Sequence, residues 1–206
     1  MINKVELIGW YGGDEVNACS AWTSTSRTLT EEKKNRIPAL LKMLAENGHE
    51  TPFEKSTVHF LVDTEIASHI HLLKHRISSL NAESARYKEL KEDKFYIPPD
   101  WPQEWQEALK DYTKKGNQLY HQCLSDLEAK GINRKRAKES ARFFKTYNSQ
   151  IQADVMFNWR SFVNFQKLRN SPDAQVEIRE IAAEMLQLVK NIEGNPFKYT
   201  LQAFKL

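Results

Sequence analysis

The stretch Lys74-His75-Arg76-Ile77-Ser78-Ser79-Leu80-Asn81-Ala82-Glu83-Ser84-Ala85-Arg86-Tyr87 organises this chain. Lys74, His75, Arg76 and Arg86 share it with Ser79, Asn81, Glu83 and Ser84, and little apolar filler separates them. Arginine offers phosphate a bidentate fork, lysine a point charge, and serine and asparagine add directed donors. Such a stretch suits a phosphate-rich ligand, although a solvated helix end has a similar composition.

Leading into it, the period is helical from Glu65. Ile66, Ile70, Leu73, Ile77 and Leu80 form one stripe, while His71, His75 and Ser78 fall on another face. The spacing predicts a helix to about Leu80, with the second half of the stretch turning back over whatever that helix binds. Before it, Val58, Phe60 and Val62 alternate with His59 and Leu61, which predicts a half-buried strand. His49-Glu50-Thr51-Pro52-Phe53-Glu54 reads as a polar turn. Ile37, Leu40, Leu41 and Leu44 predict an amphipathic helix, with Pro38 in its first turn and Asn47-Gly48 as its stop. Ser20 to Ser26 reads as a loop. Val5 and Leu7 alternate ahead of Gly12-Gly13, giving a short strand and a turn.

After the stretch, Pro98-Pro99-Asp100 closes the region and Pro102 opens a long helix to Lys130, stopped by Gly131. Its predicted apolar side is Trp105, Leu109, Tyr112, Leu119, Cys123 and Leu127. Arg134 to about Tyr147 reads as a basic helix with Ala137, Ala141 and Phe144 inward. Another helix is expected from around Asn158, carrying Phe162, Phe165 and Leu168. Ser171-Pro172 caps the next, with Ile178, Ile181, Met185 and Leu188 facing the core. Phe197, Tyr199 and Phe204 tie the tail to the body. With no internal repeat, low-complexity segment or flexible linker, the expected class is α+β: one mostly helical domain over residues 1–206 with a small antiparallel or mixed sheet.

The whole chain sets bounds. Its 206 residues suffice for a real core. Thirty Lys and Arg against 27 Asp and Glu leave a net charge of +3, too little to demand a polyanionic partner. Ten Phe, seven Tyr and five Trp can fill a tight core or stack on planar ligands. Cys19 and Cys123 form no C-x-x-C and no zinc-finger spacing, so they read as core residues. No apolar run reaches membrane-spanning length and the N-terminus lacks a secretory apolar region, so a soluble cytoplasmic protein is expected. His71 and His75 have the i, i+4 spacing of metal ligands, but no Glu follows the first and no third ligand is indicated; no metal is expected. His49 could act near a bound cofactor or cap a turn, and His59 reads as structural. The basic run Arg134, Lys135, Arg136, Lys138, Arg142 and Lys145 is a solvated helix face or a nucleic-acid contact.

Four ordered blocks then carry a resemblance. His75, Arg76, Ser79, Asn81, Ser84 and Arg86 match one signature. His49 to Glu54 form a second block. Asn158-x-Arg160-Ser161 with Asn164-Phe165 form the third. The fourth is Leu168-Arg169, followed by Ala174-Gln175 and Glu177-Ile178. In these blocks, and over about Arg27 to Phe204, the chain resembles the flavin-dependent thymidylate synthases. That resemblance implies their fold and the reductive methylation of dUMP to dTMP. Methylenetetrahydrofolate gives the carbon, FAD carries the hydride and NADPH reduces the flavin. It further implies a homotetramer with shared active sites and no nucleic-acid or membrane partner.

By the same resemblance, FAD is contacted by Thr51, Lys74, His75, Arg76, Asn158, Arg160 and Asn164. The nucleotide falls to His71, Leu72, Glu83, Ser84, Ala85, Arg86 and Arg142, and Arg169 is the catalytic group on the uracil. A fixed guanidinium there meets charge that develops as carbon adds at C5. Arg160 and Asn164 are i, i+4 and are expected on one helix face. Several positions depart from the family pattern. Lys74 replaces Arg, which loses the fork. His71 stands for Gln, Ala82 for an acidic residue, Lys145-Thr146 for Leu-Pro, and Asp173 for His. Those in the expected site leave open another pyrimidine deoxynucleotide, or hydroxymethyl as the carbon transferred. A helical nucleic-acid-binding module is the distant alternative. Neither cysteine lies in a matching block, so no thiol nucleophile is implied.

Overall fold

The computed structural model describes residues 2–206. Its strands are β1 (Lys4–Tyr11), β2 (Thr57–Glu65), β3 (Ser78–Ala82) and β4 (Gln150–Asn158), in the order β1-β2-β4-β3. They pair antiparallel. The helices are α1 (Asp14–Trp22), α2 (Glu31–Glu46), α3 (Ile66–Leu73), α4 (Gln103–Ala129), α5 (Arg134–Ala141), α6 (Trp159–Arg169), α7 (Val176–Lys190) and α8 (Lys198–Phe204), with short 3₁₀ turns at Thr51–Lys55 and Arg142–Phe144. The predicted mostly helical α+β class with a small sheet holds. Residue contacts group the chain into two compact units. One gathers Asp63–Leu73 and Asn81–Ala153 with the residues up to Lys4. The other gathers Val5–Val62, Lys74–Leu80 and Asp154–Leu206.

The second unit holds most of the apolar core. Val58, Phe60 and Val62 on β2 are fully buried, as their alternation predicts. Val155 and Phe157 on β4 join them, and Phe157 lies 5.2 Å from Phe165 of α6. Trp159 packs on Phe197 at 4.7 Å, and Phe53 meets Phe204 edge-on at 4.7 Å, so the aromatic tail does dock. Thr30 caps α2 by accepting from the Lys33 N–H. Pro38 lies well inside α2 and not in its first turn; burial of Ile37, Leu41 and Leu44 and packing on α8 offset the lost backbone bond.

The first unit centres on α4, whose buried face is Thr113, Asn117, Tyr120 and Leu124. The expected face was in part wrong: Trp105 and Tyr112 are 61% and 68% exposed. The buried positions are half polar because they are hydrogen-bonded. The Thr113 hydroxyl donates to the Leu109 backbone carbonyl at 2.8 Å, and the Asn117 side-chain Oδ1 accepts from Lys145 Nζ, also at 2.8 Å. A Cβ on Gly116 would stand 2.7 Å from the Phe144 carbonyl oxygen, so only glycine admits that turn against α4. Ala137 and Ala141 of α5 are buried as expected, but α5 stops at Ala141 and Phe144 is exposed.

Three other expectations are corrected. Ser20 to Trp22 end α1 and are not loop. β4 has no counterpart in the sequence reading, which saw only the helix that follows it. And α3 ends at Leu73, not Leu80, with Leu73 and Ile77 exposed. Beyond it the chain re-enters the sheet as β3, where pairing with β4 satisfies the backbone.

Candidate active site

The early end of α3 shapes the site in the second unit. Lys74 turns the chain and is exposed, His75 drops inward to 5% exposure, and Arg76 and Ile77 form an exposed turn leading to β3. His71 and His75 therefore share no helix face. Among the described residues no cluster of metal-ligating side chains occurs.

Arg169 sits in the last turn of α6, the end of a helix that favours a cation. Its Nε donates to His75 Nε2 at 2.8 Å. That bond needs a lone pair on Nε2, so the neutral ring carries its proton on Nδ1. His75 is also edge-on to Phe165, with centroids 4.9 Å apart and an angle of 83°. Two residues 94 positions apart, expected at the flavin and at the uracil, thus orient each other. Among the described residues no salt bridge holds Arg169, so its charge is not offset by a carboxylate.

Beside them lies a groove of about 410 Å³. Arg76 lines it from the turn, and Asn158, Arg160, Asn164 and Lys167 line it from α6 and its cap. Asn158 caps α6 by accepting from the Ser161 N–H at 2.9 Å, which fixes where the helix begins. Arg160 and Asn164 do share a face and point into the same space. Glu50 and Glu54 close the groove around the 3₁₀ turn: Arg160 Nε pairs with Glu50 at 2.9 Å and its Nη1 with Glu54 at 2.8 Å. The Glu54 hydrogen bond and the nearby Glu50 charge raise the Arg160 pKa further. Thr51 is exposed and not in this groove. It lines a smaller one of about 310 Å³ with His49, Met43 and Leu44.

The nucleotide set, His71, Leu72, Glu83–Arg86 and Arg142, falls in the first unit. Leu72 is fully buried and His71 half-buried on α3. Glu83 follows β3 and is tied to β4: its N–H donates to the Gln152 carbonyl at 2.9 Å and its carboxylate accepts the Gln152 N–H at 3.2 Å. The Ser84 carbonyl accepts from the N–H groups of Tyr87 and Lys88, making a tight turn that includes Ala85. Arg86 is exposed, and its Nε donates to Glu139 of α5 at 2.6 Å, which lowers the Glu139 pKa. The pair uses Nε and leaves both terminal nitrogens of the fork to a ligand. Arg142 is exposed at the start of its 3₁₀ turn.

The basic run is largely spent within this unit. Arg134 pairs with Glu128 and Glu89, Lys138 donates to the Tyr87 carbonyl, and Lys145 pairs with Asp93 at 2.7 Å. Three contacts from α5, Arg134 to Glu89, Lys138 to the Tyr87 carbonyl and Glu139 to Arg86, thus pin the segment that carries Ser84 and Arg86. Sequence reasoning missed Glu50, Glu54, Glu139 and Lys167 as site neighbours. The two glutamates stood inside a quoted block, and Lys167 is three residues beyond Asn164, one more step along the same face.

Comparison with known proteins gives the geometry its relatives. A family model described as thymidylate synthase complementing protein matches residues 6–193. The flavin-dependent thymidylate synthase of Clostridium tetani is 33% identical over 186 residues, covering 85% of this chain and 74% of that one. That of Pseudothermotoga lettingae is 30% identical over 199 residues, covering 91% and 85%. Among solved structures, a UMP/dUMP methylase, PolB, from Streptomyces cacaoi, bound with 5-Br dUMP, has the same fold. Its TM-score is 0.79 at 24% identity, over 98% of this chain and 94% of that one. The chain belongs to the thymidylate synthase complementing protein family, that of the flavin-dependent thymidylate synthases.

Proposed function

We propose that this protein is a flavin-dependent thymidylate synthase, converting dUMP to dTMP with methylenetetrahydrofolate as carbon donor and NADPH as the source of reducing power. The observation that carries this is the groove where Arg76, Asn158, Arg160 and Asn164 meet, four residues that the resemblance alone had assigned to FAD. Its donor set fits that group. Cationic and amide donors face one space, Arg76 has no ion-pair partner among the described residues, and the volume lies in the range of small-molecule sites. When bound, FAD supplies the hydride chemistry that side chains cannot.

The chain's own residues bind and polarise. Arg76, with Lys74 beside it, takes the flavin diphosphate, Asn158 and Asn164 hydrogen-bond the cofactor, and Arg160 is held ready by its two glutamates. Thr51, which lines the smaller groove, is given to the cofactor by the resemblance alone. Ser84 and Arg86 hold the nucleotide phosphate, with Glu83 and Ala85 shaping the turn, Arg142 as a second clamp, and His71 and Leu72 at the nucleotide. Arg169, kept in place by His75, offers the pyrimidine a preorganised cation, so charge developing on the ring is met without reorganisation. A homotetramer with shared sites and a cytoplasmic location go with this reading. Among the described residues no helix is long and apolar enough to cross a membrane.

The test is product mass. The protein is incubated with FAD, NADPH, methylenetetrahydrofolate and, in separate arms, dUMP, UMP or dCMP. A dUMP product that has gained one methylene supports the proposal. A product in the UMP or dCMP arm alone reassigns the nucleotide, an added oxygen means hydroxymethylation, and no product in any arm refutes it.

A further inference from the structure

Lys167 lies on the same face of α6 as Arg160 and Asn164, at i, i+4 and i+7, and lines the same groove. Charges in that groove are uneven in their use. Arg160 is neutralised twice over, by Glu50 and Glu54. Arg76 and Lys167 have no carboxylate partner among the described residues. The Lys167 ammonium stands 5.8 Å from the centroid of the Phe204 ring on α8, a cation–π contact at the edge of its range that steadies the stem and leaves all three N–H donors free. The groove therefore presents two available cations, Arg76 from the turn after α3 and Lys167 from the helix, around one pair already satisfied.

From this geometry we infer that Lys167 is a further ligand-binding residue, which with Arg76 receives the diphosphate of the dinucleotide held in the groove. The inference rests on the flavin reading and deepens it. Arg160 then orients the groove wall through its glutamates, and the diphosphate charge falls to the other two. A diphosphate carries charge on two phosphorus centres, so two cations from separate elements match it better than one fork.

Equilibrium binding to the apoprotein, read by quenching of flavin fluorescence, tests this without turnover. The ligands are FAD and riboflavin, which lacks the phosphates, and the variants are Lys167→Met, Lys167→Glu and Lys167→Arg. Lys167 is exposed on a helix surface, so the variants should fold, and unchanged far-UV circular dichroism checks that they do. Lys167→Met is expected to weaken FAD about three- to ten-fold, Lys167→Glu more, and Lys167→Arg to restore most of the loss. The gap from the native protein should shrink as salt is raised, and riboflavin should bind all forms alike. If native protein binds FAD and Lys167→Met binds it equally well, the inference fails and the flavin reading stands. An equal loss for riboflavin also overturns it, since the effect would then not be on phosphate. If the native protein binds neither FAD nor riboflavin, the flavin reading itself falls.

Discussion

Arg169 carries the sharpest expectation at the level of single residues. Its guanidinium donates to His75 and has no carboxylate partner among the described residues, an arrangement that orients a cation without cancelling it. Arg169→Ala should lower kcat by about 10²–10³, the usual cost of removing one preorganised electrostatic donor. FAD affinity should change little, because Arg169 is absent from the groove lining. Full turnover in that variant would remove the assigned role. Part of this was legible: the i, i+4 spacing put Arg160 and Asn164 on one helix face, and Arg76 and Asn158, grouped with them by the resemblance, line the same groove. The His75–Arg169 bond was not, because it closes a gap of 94 residues and depends on where α3 stops. A second expectation concerns His69, which is buried and whose Nδ1 has no hydrogen-bond partner among the described residues. Burial lowers its pKa below the ordinary 6.5. The unfolded chain then takes up the proton first as pH falls. The stability that His69 contributes is present above about 6.5 and is lost as pH falls through the lower folded value. His69→Leu should therefore show a smaller drop in Tm between about pH 7 and 5 than the native protein. Parallel curves would assign the acid sensitivity to another group.

Elements follow periodicity where one face is apolar and depart from it where the buried face is polar. α2, β2 and α7 were legible for the first reason. α1 was not: its buried residues are Asp14, Asn17 and Ala18, which leave no apolar stripe to read. β4 was missed because its buried Ala153, Val155 and Phe157 alternate with Asp154 and Met156, and the exposed Met blurs the hydropathy contrast. Asp14 explains why α1 is polar inside. Its carboxylate accepts from the N–H groups of Tyr199 and Thr200, each at 2.8 Å, and from the Thr200 hydroxyl at 2.6 Å. Those amides belong to the first turn of α8, whose own preceding residue, Phe197, offers no side-chain cap. Asp14 is thus an N-cap supplied from 185 residues away in the chain; burial raises its pKa, while the hydrogen bonds from Thr200 and Tyr199 and the helix dipole favour the anion. Asp14→Ala should cost about 1–3 kcal/mol in urea unfolding. It should also raise amide exchange in α8 ahead of the rest of the chain. Uniform loss of protection would mean that α8 is held by its aromatic packing and not by this cap.

Across the whole chain, charge and sulfur decide between chemistries. Of the basic run behind the net charge of +3, Arg134 and Lys138 on α5 and Lys145 beyond it are engaged within their own unit, while Lys135 and Arg136 on α5 stay exposed. The class, mostly helical with a small sheet, was legible because it depends on the number and period of apolar runs. The exact helix ends were not, because partners distant in the chain set them. Sulfur gives the last test. A pyrimidine methylation that proceeds through a protein thiol would need a cysteine at the ring. The chain has Cys19, half-buried on α1, and Cys123, which packs against the cluster of Tyr120, Leu124, Ala137 and Ala141. Neither lines the groove with Arg76 and Asn164. Both positions accept a slightly more polar atom in a partly buried setting, so replacing both with Ser should cost some stability, on the order of 1–2 kcal/mol, and little activity. Turnover of Cys19→Ser/Cys123→Ser with dUMP should stay within a few-fold of the native protein at 25 °C. A variant that stays folded and retains FAD but loses turnover about 100-fold or more would bring a thiol back into the chemistry and displace Arg169 from its centre.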